Sequence, residues 1–377
     1  MNAVDPGHYG GWTGDLTANA INSTTGDINT TAAWSASSKL TARDWTTRVI
    51  ASRNGAGPTA FTAAGVGSLV NPGGTWGTTA DIVNYLRGDR SKEGTTFRSR
   101  TGLMGAVITS EPTIDRDNKV VYIASGEGML HAFDITAGAD AGKELWAFVP
   151  NAVLPDMGQT TARGYTFKTQ LDGTPVVAKT GGTSRLLVAG MGAAGTNYYA
   201  LDVSSPRALS ESDLSWVKWQ FPTGSSDSYA TKVGQTVGKP VIVKTSAGYR
   251  VLVTSGYNST YDGKGRLFVL DPATGSVLKE FATTAGALGA ESGLAGVSGY
   301  LEDDGTVRYV YGGDLLGNLW RFDLDAASGT DPNLVAVLKG PTGTTQPVTA
   351  APELAYIGGK RVVFVGTGRL LDITDFG

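Results

Sequence analysis

The chain contains no cysteine, which removes disulfide scaffolds, thiolate metal sites and cysteine nucleophiles together. It has only two histidines, His8 and His131. They fall in different strand phrases, and neither a Ser-His-Asp order nor an HExxH spacing is present. Charge is scarce at 17% of the 377 residues, and 31 basic against 34 acidic residues leave no electrostatic footprint for nucleic acid. No apolar run reaches the ~18 residues of a membrane-spanning helix. The opening MNAVDPGHYGGW lacks the basic and apolar regions of a secretory signal. The final residues 371–377 stop just after a strand phrase, so the two ends together suggest a domain excised from something longer.

Glycine is abundant, with 53 residues, and suits an all-β chain with many tight turns. A short phrase recurs five times: a Pro or Gly, an apolar strand, and a closing Gly. Pro112 leads through VVYIASG to Gly126, Pro175 through RLLVAG to Gly190, and Pro240 through RVLVTSG to Gly256. Gly299 leads through RYVYGG to Gly313, and Pro352 through RVVFVG to Gly366. Four copies continue into a further strand ending in Asp: GMLHAFD at 128–134, GTNYYALD at 195–202, GRLFVLD at 265–271 and GNLWRFD at 317–323. Such a unit cannot bury its own faces and must stack on its neighbours, which predicts a β-propeller. Each terminal Asp is placed to accept backbone N–H groups of an Asx-turn. Trp146, Trp219 and Phe281, just past those turns, are expected to pack between blades.

The chain reads as one propeller domain over 1–377, irregular over 1–110 and repeated over 111–377. Residues 8–35 resemble an incomplete blade, with TTGD as a hairpin turn before INTTAAW, and TTRVIAS adds a strand. Residues 78–87 predict a helix: Thr78 caps it, Asp81 lies in the first turn, Ile82, Val83, Tyr85 and Leu86 form an apolar side, and Gly88 follows as the C′ glycine. The sequence leaves open whether the last blade closes by borrowing a strand from 10–34. Long loops at 151–172, 204–238 and 286–296 are where a rigid propeller carries specificity.

Several motifs bear on function. Gly190, Gly192 and Gly195 match GxGxxG, but TNYYALDV reads as a strand where a dinucleotide site needs a helix, so the glycines make a turn. Arg87-Gly88-Asp89 is a candidate adhesive tripeptide; the alternative is a helix end with solvated flanking charges. Glu302 and Asp304, in YLEDDGTVR at 300–308, are candidate calcium ligands, although Arg308 in the same loop opposes a cation. The alternative is a type I′ hairpin turn at Asp304-Gly305. His131 reads as a satisfied sheet residue. Exposed Trp216, Trp219 and Tyr229 would mark a carbohydrate-binding surface.

GMLHAFDITAGADAGKELWAF and GRLFVLDPATGSVLKEF resemble the repeats of quinoprotein dehydrogenases, whose tandem-cysteine pair this chain cannot supply. That gives the alternative of a quinone-dependent oxidoreductase. A more specific resemblance rests on NYLRGDRSKEG at 84–94, FRSRTGLMGAVITSEP at 97–112, VYIASGEGMLHAFD at 121–134 and ELWAFVP at 144–150. DGTPVV at 172–177, SGYNSTYDGKGRLFVLDPATG at 255–275, YVYGGDLLGNLWRFDL at 309–324 and VGTGRLL at 365–371 continue it in order. These segments resemble the C-terminal propeller of the PilC/PilY family of type IV pilus biogenesis proteins and tip-associated adhesins. The resemblance implies a modified propeller of about seven blades with no enzymatic activity. It also implies export to the cell surface, outer membrane or pilus tip of a Gram-negative bacterium, and roles in pilus assembly, retraction control, adhesion and twitching motility. The implied partners are minor pilins, the pilus machinery and a host or abiotic surface receptor. It also implies calcium in a loop whose ligand positions fall here on Tyr300, Glu302, Asp304 and Arg308, of which Tyr300 and Arg308 are unsuitable. Calcium is the one cofactor implied.

Overall fold

The computed structural model describes residues 3–4, 12–55, 57–371 and 375; His8 lies outside them. The chain divides into two compact units, 1–175 with 201–217, and 176–200 with 218–377.

In the first unit, β1 (Ala3–Val4) pairs with β2 (Trp12–Thr13), and β3 (Thr17–Ile21) forms an antiparallel hairpin with β4 (Ile28–Ser35). Ser35 then caps α1 (Ala36–Ala42) by accepting from the Ser38 N–H. β5 (Ile50–Asn54) and β6 (Gly57–Ala60) follow, then α2 (Ala63–Val70) and α3 (Thr79–Arg87). The last of these is the expected helix. The Thr78 side chain accepts from the Asp81 N–H, its apolar side is buried, and Gly88 ends it at φ 122°, a conformation that favours glycine. β7 (Thr113–Asp115), β8 (Val120–Ser125), β9 (Met129–Asp134) and β10 (Glu144–Val149) build the first repeated blade, after which comes α4 (Leu154–Met157). β5 joins this blade by pairing parallel to β10, giving a six-stranded sheet in the order β6-β5-β10-β9-β8-β7. That pairing ties the irregular N-terminal section to the first repeat.

The second unit holds three antiparallel four-stranded sheets. They are β11 (Val176–Gly181), β12 (Ser184–Gly190), β13 (Tyr198–Asp202) and β14 (Val217–Phe221); β15 (Val241–Thr245), β16 (Gly248–Thr254), β17 (Arg266–Leu270) and β18 (Val277–Ala282); and β19 (Val297–Leu301), β20 (Val307–Gly313), β21 (Asn318–Asp323) and β22 (Asn333–Val337). A fourth sheet has two strands, β23 (Glu353–Ile357) and β24 (Lys360–Phe364). The first strands β11, β15, β19 and β23 are successive neighbours, the stacking that a blade repeat requires. Among the described residues β3 pairs with β4, and β23 with β24.

Side-chain alternation explains the stacking. In the middle sheet Val251, Val253, Phe268 and Leu270 point into the core shared with Leu186, Val188, Tyr198, Trp219 and Phe221. Their alternating neighbours Leu252, Leu267 and Val269 point into the opposite core, with Val310, Trp320 and Phe322. A strand with period-two side chains and both faces buried has to be apolar along its buried stretch, and VLV at 251–253 and LFVL at 267–270 are. The four predicted Asx-turns form: the Oδ1 atoms of Asp134, Asp202, Asp271 and Asp323 accept from the N–H two residues on at 2.7, 3.0, 2.9 and 3.0 Å. Trp146, Trp219 and Phe281 are buried as expected, and the GxGxxG glycines lead into strand β13.

Candidate functional site

The loop between β19 and β20 contains both predicted calcium ligands. It is a β-turn over 302–305 followed by a glycine bulge, not the type I′ turn read from the sequence. Only Gly305 has positive φ, at 78°. Its N–H donates to the Glu302 carbonyl at 2.9 Å, while the Glu302 N–H donates to the Thr306 carbonyl at 2.8 Å. The Asp304 Oδ1 accepts from the Thr306 hydroxyl (2.7 Å) and backbone N–H (2.9 Å), which hold its carboxyl below the usual range. The Glu302 carboxylate is ion-paired to Arg361. Arg308 turns to the Asp323 carboxylate at 2.8 Å, and the Tyr300 hydroxyl donates to the Ala355 carbonyl at 3.2 Å. Both carboxylates thus already have protein donors.

In the first unit, Arg87 of the Arg-Gly-Asp triplet is 6% exposed, which corrects both the adhesive reading and the solvated one. Its guanidinium donates to the carbonyls of Phe61 (2.9 Å) and Arg48 (2.6 Å) and to the Glu211 carboxylate (2.8 Å). A guanidinium held in this way cannot reach a receptor. Asp89 stays local, accepting from the Ser91 N–H at 2.8 Å.

Behind Arg87 lies a buried charge network that the sequence reading missed. Arg48 binds Glu144 through two parallel hydrogen bonds, Nε to Oε2 at 2.7 Å and Nη2 to Oε1 at 2.8 Å, and donates to the Arg87 carbonyl at 2.7 Å. On β9, the His131 Nδ1 lies 2.8 Å from Glu144 Oε1, and its Nε2 lies 2.7 Å from Glu127 Oε1 and 3.0 Å from the Ser125 hydroxyl. A carboxylate only accepts, so an imidazole between two of them donates from both nitrogens and is an imidazolium. Burial opposes that charge, but the hydrogen bonds to Glu127 and Glu144 outweigh it and raise the His131 pKa to about 9. Burial also opposes the Glu144 carboxylate, and the charges of Arg48 and His131 hold its pKa well below the ordinary range. The sequence signal was faint: Arg48, Glu127 and Glu144 stand at or just outside the ends of apolar strand stretches, where charges are ordinarily solvated.

Glu127 reaches from this network into a small cleft of about 50 Å³. Its Oε2 accepts from the Gly105 N–H at 2.7 Å. One wall is the stacked pair Trp12–Phe167, with rings 5.4 Å apart. Another is Tyr85, with Arg100 over its ring at 3.6 Å. The aromatic residues proposed for carbohydrate binding lie elsewhere and are packed: Trp216 and Trp219 are buried, the Trp219 indole donates to the Pro272 carbonyl at 2.9 Å, and Tyr229 packs on Phe221 and Phe268. Large apolar rings next to a blade interface are drawn into it, which corrects that expectation.

Comparison with known proteins places this architecture. A family model described as the PilY1 beta-propeller domain matches residues 104–376. The chain belongs to that family. It is 33% identical over 97% of its length to a type IV pilus biogenesis factor PilY1 homolog of Xylella fastidiosa, covering 31% of that protein. It is 29% identical over 97% of its length to the type IV pilus biogenesis factor PilY1 of Pseudomonas aeruginosa strain PAK, covering 36% of it. The chain therefore spans about a third of the length of these curated relatives. The crystal structure of the Pseudomonas aeruginosa PilY1 C-terminal domain superposes with a TM-score of 0.54 at 28% identity, over 68% of this chain and 54% of that one. In this PilY1-type propeller the matched span begins at Met104, so β7 to β24 lie inside it, while Arg48 and Arg87 of the buried network lie before it.

Proposed function

We propose that this chain is the propeller module of a type IV pilus biogenesis factor that works by binding and not by catalysis. The observation that carries this is membership of the PilY1 propeller family over residues 104–376, together with relatives named as biogenesis factors across 97% of the chain. The reading extends to display at the cell surface or pilus tip, contact with minor pilins and the pilus machinery, retraction control, twitching, and adhesion to a host or abiotic surface. What supports adhesion is the long loops on a rigid β scaffold; the Arg87 triplet does not. Family membership favours this reading over the quinoprotein one. The test is replacement of the matching region of a PilY1 protein in a piliated bacterium by this chain. Restored surface pili and twitching are expected, and a strain as bald as the deletion mutant, with the protein exported at normal level, would reject the reading.

Calcium at Glu302 and Asp304 belongs to the same proposal, as a weakened site. A cation there has to displace Arg361 from Glu302 and the Thr306 donors from Asp304, and it gains no anionic ligand at Tyr300 or Arg308. Isothermal titration with calcium is expected to give no saturable heat below the millimolar range of weak extracellular sites (about 10⁻³ M), and chelator is expected to leave the melting temperature unchanged. Tight binding that Asp304→Ala abolishes would show a working site.

A further inference from the structure

In the second unit the segments that join successive strands are tied to one another by short bridges: Gly192 to Thr236, Gln235 to Tyr257 and Gly256 to Leu294. They cross so closely that only glycine fits at the crossings. A Cβ on Gly234 would come within 1.9 Å of the Tyr257 carbonyl oxygen. One on Gly256, whose φ is 61°, would come within 1.8 Å of the Gln235 carbonyl oxygen. The result is a fixed frame that draws on two of the loops expected to carry specificity, 204–238 and 286–296.

The frame surrounds a cavity of about 610 Å³, within the range of about 300–1,000 Å³ that holds small molecules. Val237, Leu315 and Leu316 give it an apolar wall, and every described residue that lines it belongs to the second unit. Asn258 lines it from the left-handed region, at φ 59°, a conformation that asparagine tolerates. The Asn258 Nδ2 donates to the Gln235 Oε1 at 2.8 Å, and the Gln235 Nε2 donates to the Ala193 carbonyl at 3.0 Å. Each amide nitrogen keeps a second N–H, and the Asn258 Oδ1 accepts from none of the described residues. The Glu291 Oε1 accepts from the Gly289 N–H at 2.7 Å, which leaves the carboxylate further lone pairs. Tyr257, 5% exposed, also lines the cavity, and its hydroxyl has no partner among the described residues. Buried polar atoms of that kind are rare.

These groups select among ligand classes. The backbone of the wall is already spent: the Gln235 N–H donates to the Tyr257 carbonyl at 2.7 Å, the Tyr257 N–H to the Gln235 carbonyl at 3.2 Å, and the Leu294 N–H to the Gly256 carbonyl at 3.0 Å. An extended peptide therefore finds no strand edge to join. Arg369 at the rim is ion-paired to Asp375 at 2.5 Å, so Glu291 carries the unpaired charge. One carboxylate is too few for a hard cation, and it repels an anion. What fits is an uncharged molecule whose own groups both donate and accept, as hydroxyls do.

We propose that this cavity binds a short neutral saccharide, whose hydroxyls bond Gln235, Asn258 and Glu291 and whose ring carbons lie on Val237, Leu315 and Leu316. The buried Trp216, Trp219 and Tyr229 are not part of it. Such binding is a property of the isolated chain and does not rest on its role in pili.

The test is isothermal titration, with saturation-transfer NMR, of the intact protein against lactose, maltotriose and N,N′-diacetylchitobiose. At least one of these neutral sugars is expected to bind saturably, with Kd of about 10⁻³ M or tighter. Sialyllactose, which carries a carboxylate, should bind more weakly than any neutral sugar that binds. Asn258→Gly keeps the left-handed backbone and removes the amide, and Glu291→Ala removes the carboxylate. Each should weaken binding by about tenfold with the melting temperature unchanged, and if one variant does not fold the other decides. No saturable binding of any of the three neutral sugars, binding that a folded variant leaves undiminished, or tighter binding of sialyllactose would overturn the proposal.

Discussion

Glu144→Gln is expected to lower stability by about 3–5 kcal/mol. The change preserves shape but removes the charge that neutralises Arg48 through two hydrogen bonds and His131 through a third. Arg48, Glu144 and His131 are all buried, so the two cations left behind cannot recruit water. The Arg48–Glu144 pair spans 96 residues, and losing it also loosens β5 from β10. Urea denaturation of the variant against the wild type reads the cost, and a loss under about 1 kcal/mol would show the network to be hydrated and weak. The same network sets a pH dependence. The His131 pKa is raised in the fold to about 9 from an ordinary 6.5, so the folded state holds the proton more tightly than the unfolded chain does. The stabilisation is therefore complete below about pH 6.5 and is lost as the pH rises through about 9, roughly 3 kcal/mol in all. His131→Gln should flatten that decline, and an equally steep decline in the variant would assign it to other groups.

Asp314→Ala is expected to cost the second unit about 3–5 kcal/mol. Asp314 is fully buried between β20 and β21. Its Oδ1 accepts from the Leu316 and Asn318 N–H groups, both at 2.9 Å, and its Oδ2 from the Asn318 side chain at 2.9 Å and the Trp320 indole at 2.8 Å. Truncation strands these donors in a dry interior, and each unsatisfied buried group costs about 1–3 kcal/mol, not fully additively. Asp314→Asn keeps the volume but turns an NH₂ toward donors, so it should recover only part of the loss. Urea midpoints for the two variants give the comparison; an Asn variant as stable as the wild type would mean the carboxylate charge is not what this pocket needs.

These two residues differ in how visible they are in the sequence. Asp314 sits in GGDLLGNLWRFD, and its partners lie within six residues, so a local motif contains the whole interaction. The Asx-turns, the helix over 79–87 and the alternating strand faces were legible for the same reason. Cap, turn and pleat are set by neighbours along the chain. The charge network was not. Arg48 meets Glu144 from 96 residues away, and Arg87 meets Glu211 from 124. Nothing near Arg87 reports that helix α3 would turn it inward, so the triplet looked like an exposed tripeptide.

The sequence by itself determined the blade, because a short repeated phrase with two apolar faces and a terminal Asp specifies strands and turns locally and forces stacking. Only the tertiary structure decided which charges are buried and which aromatic rings become core. Each of those depends on what another blade brings to the same place, and distance in space is not written in distance along the chain.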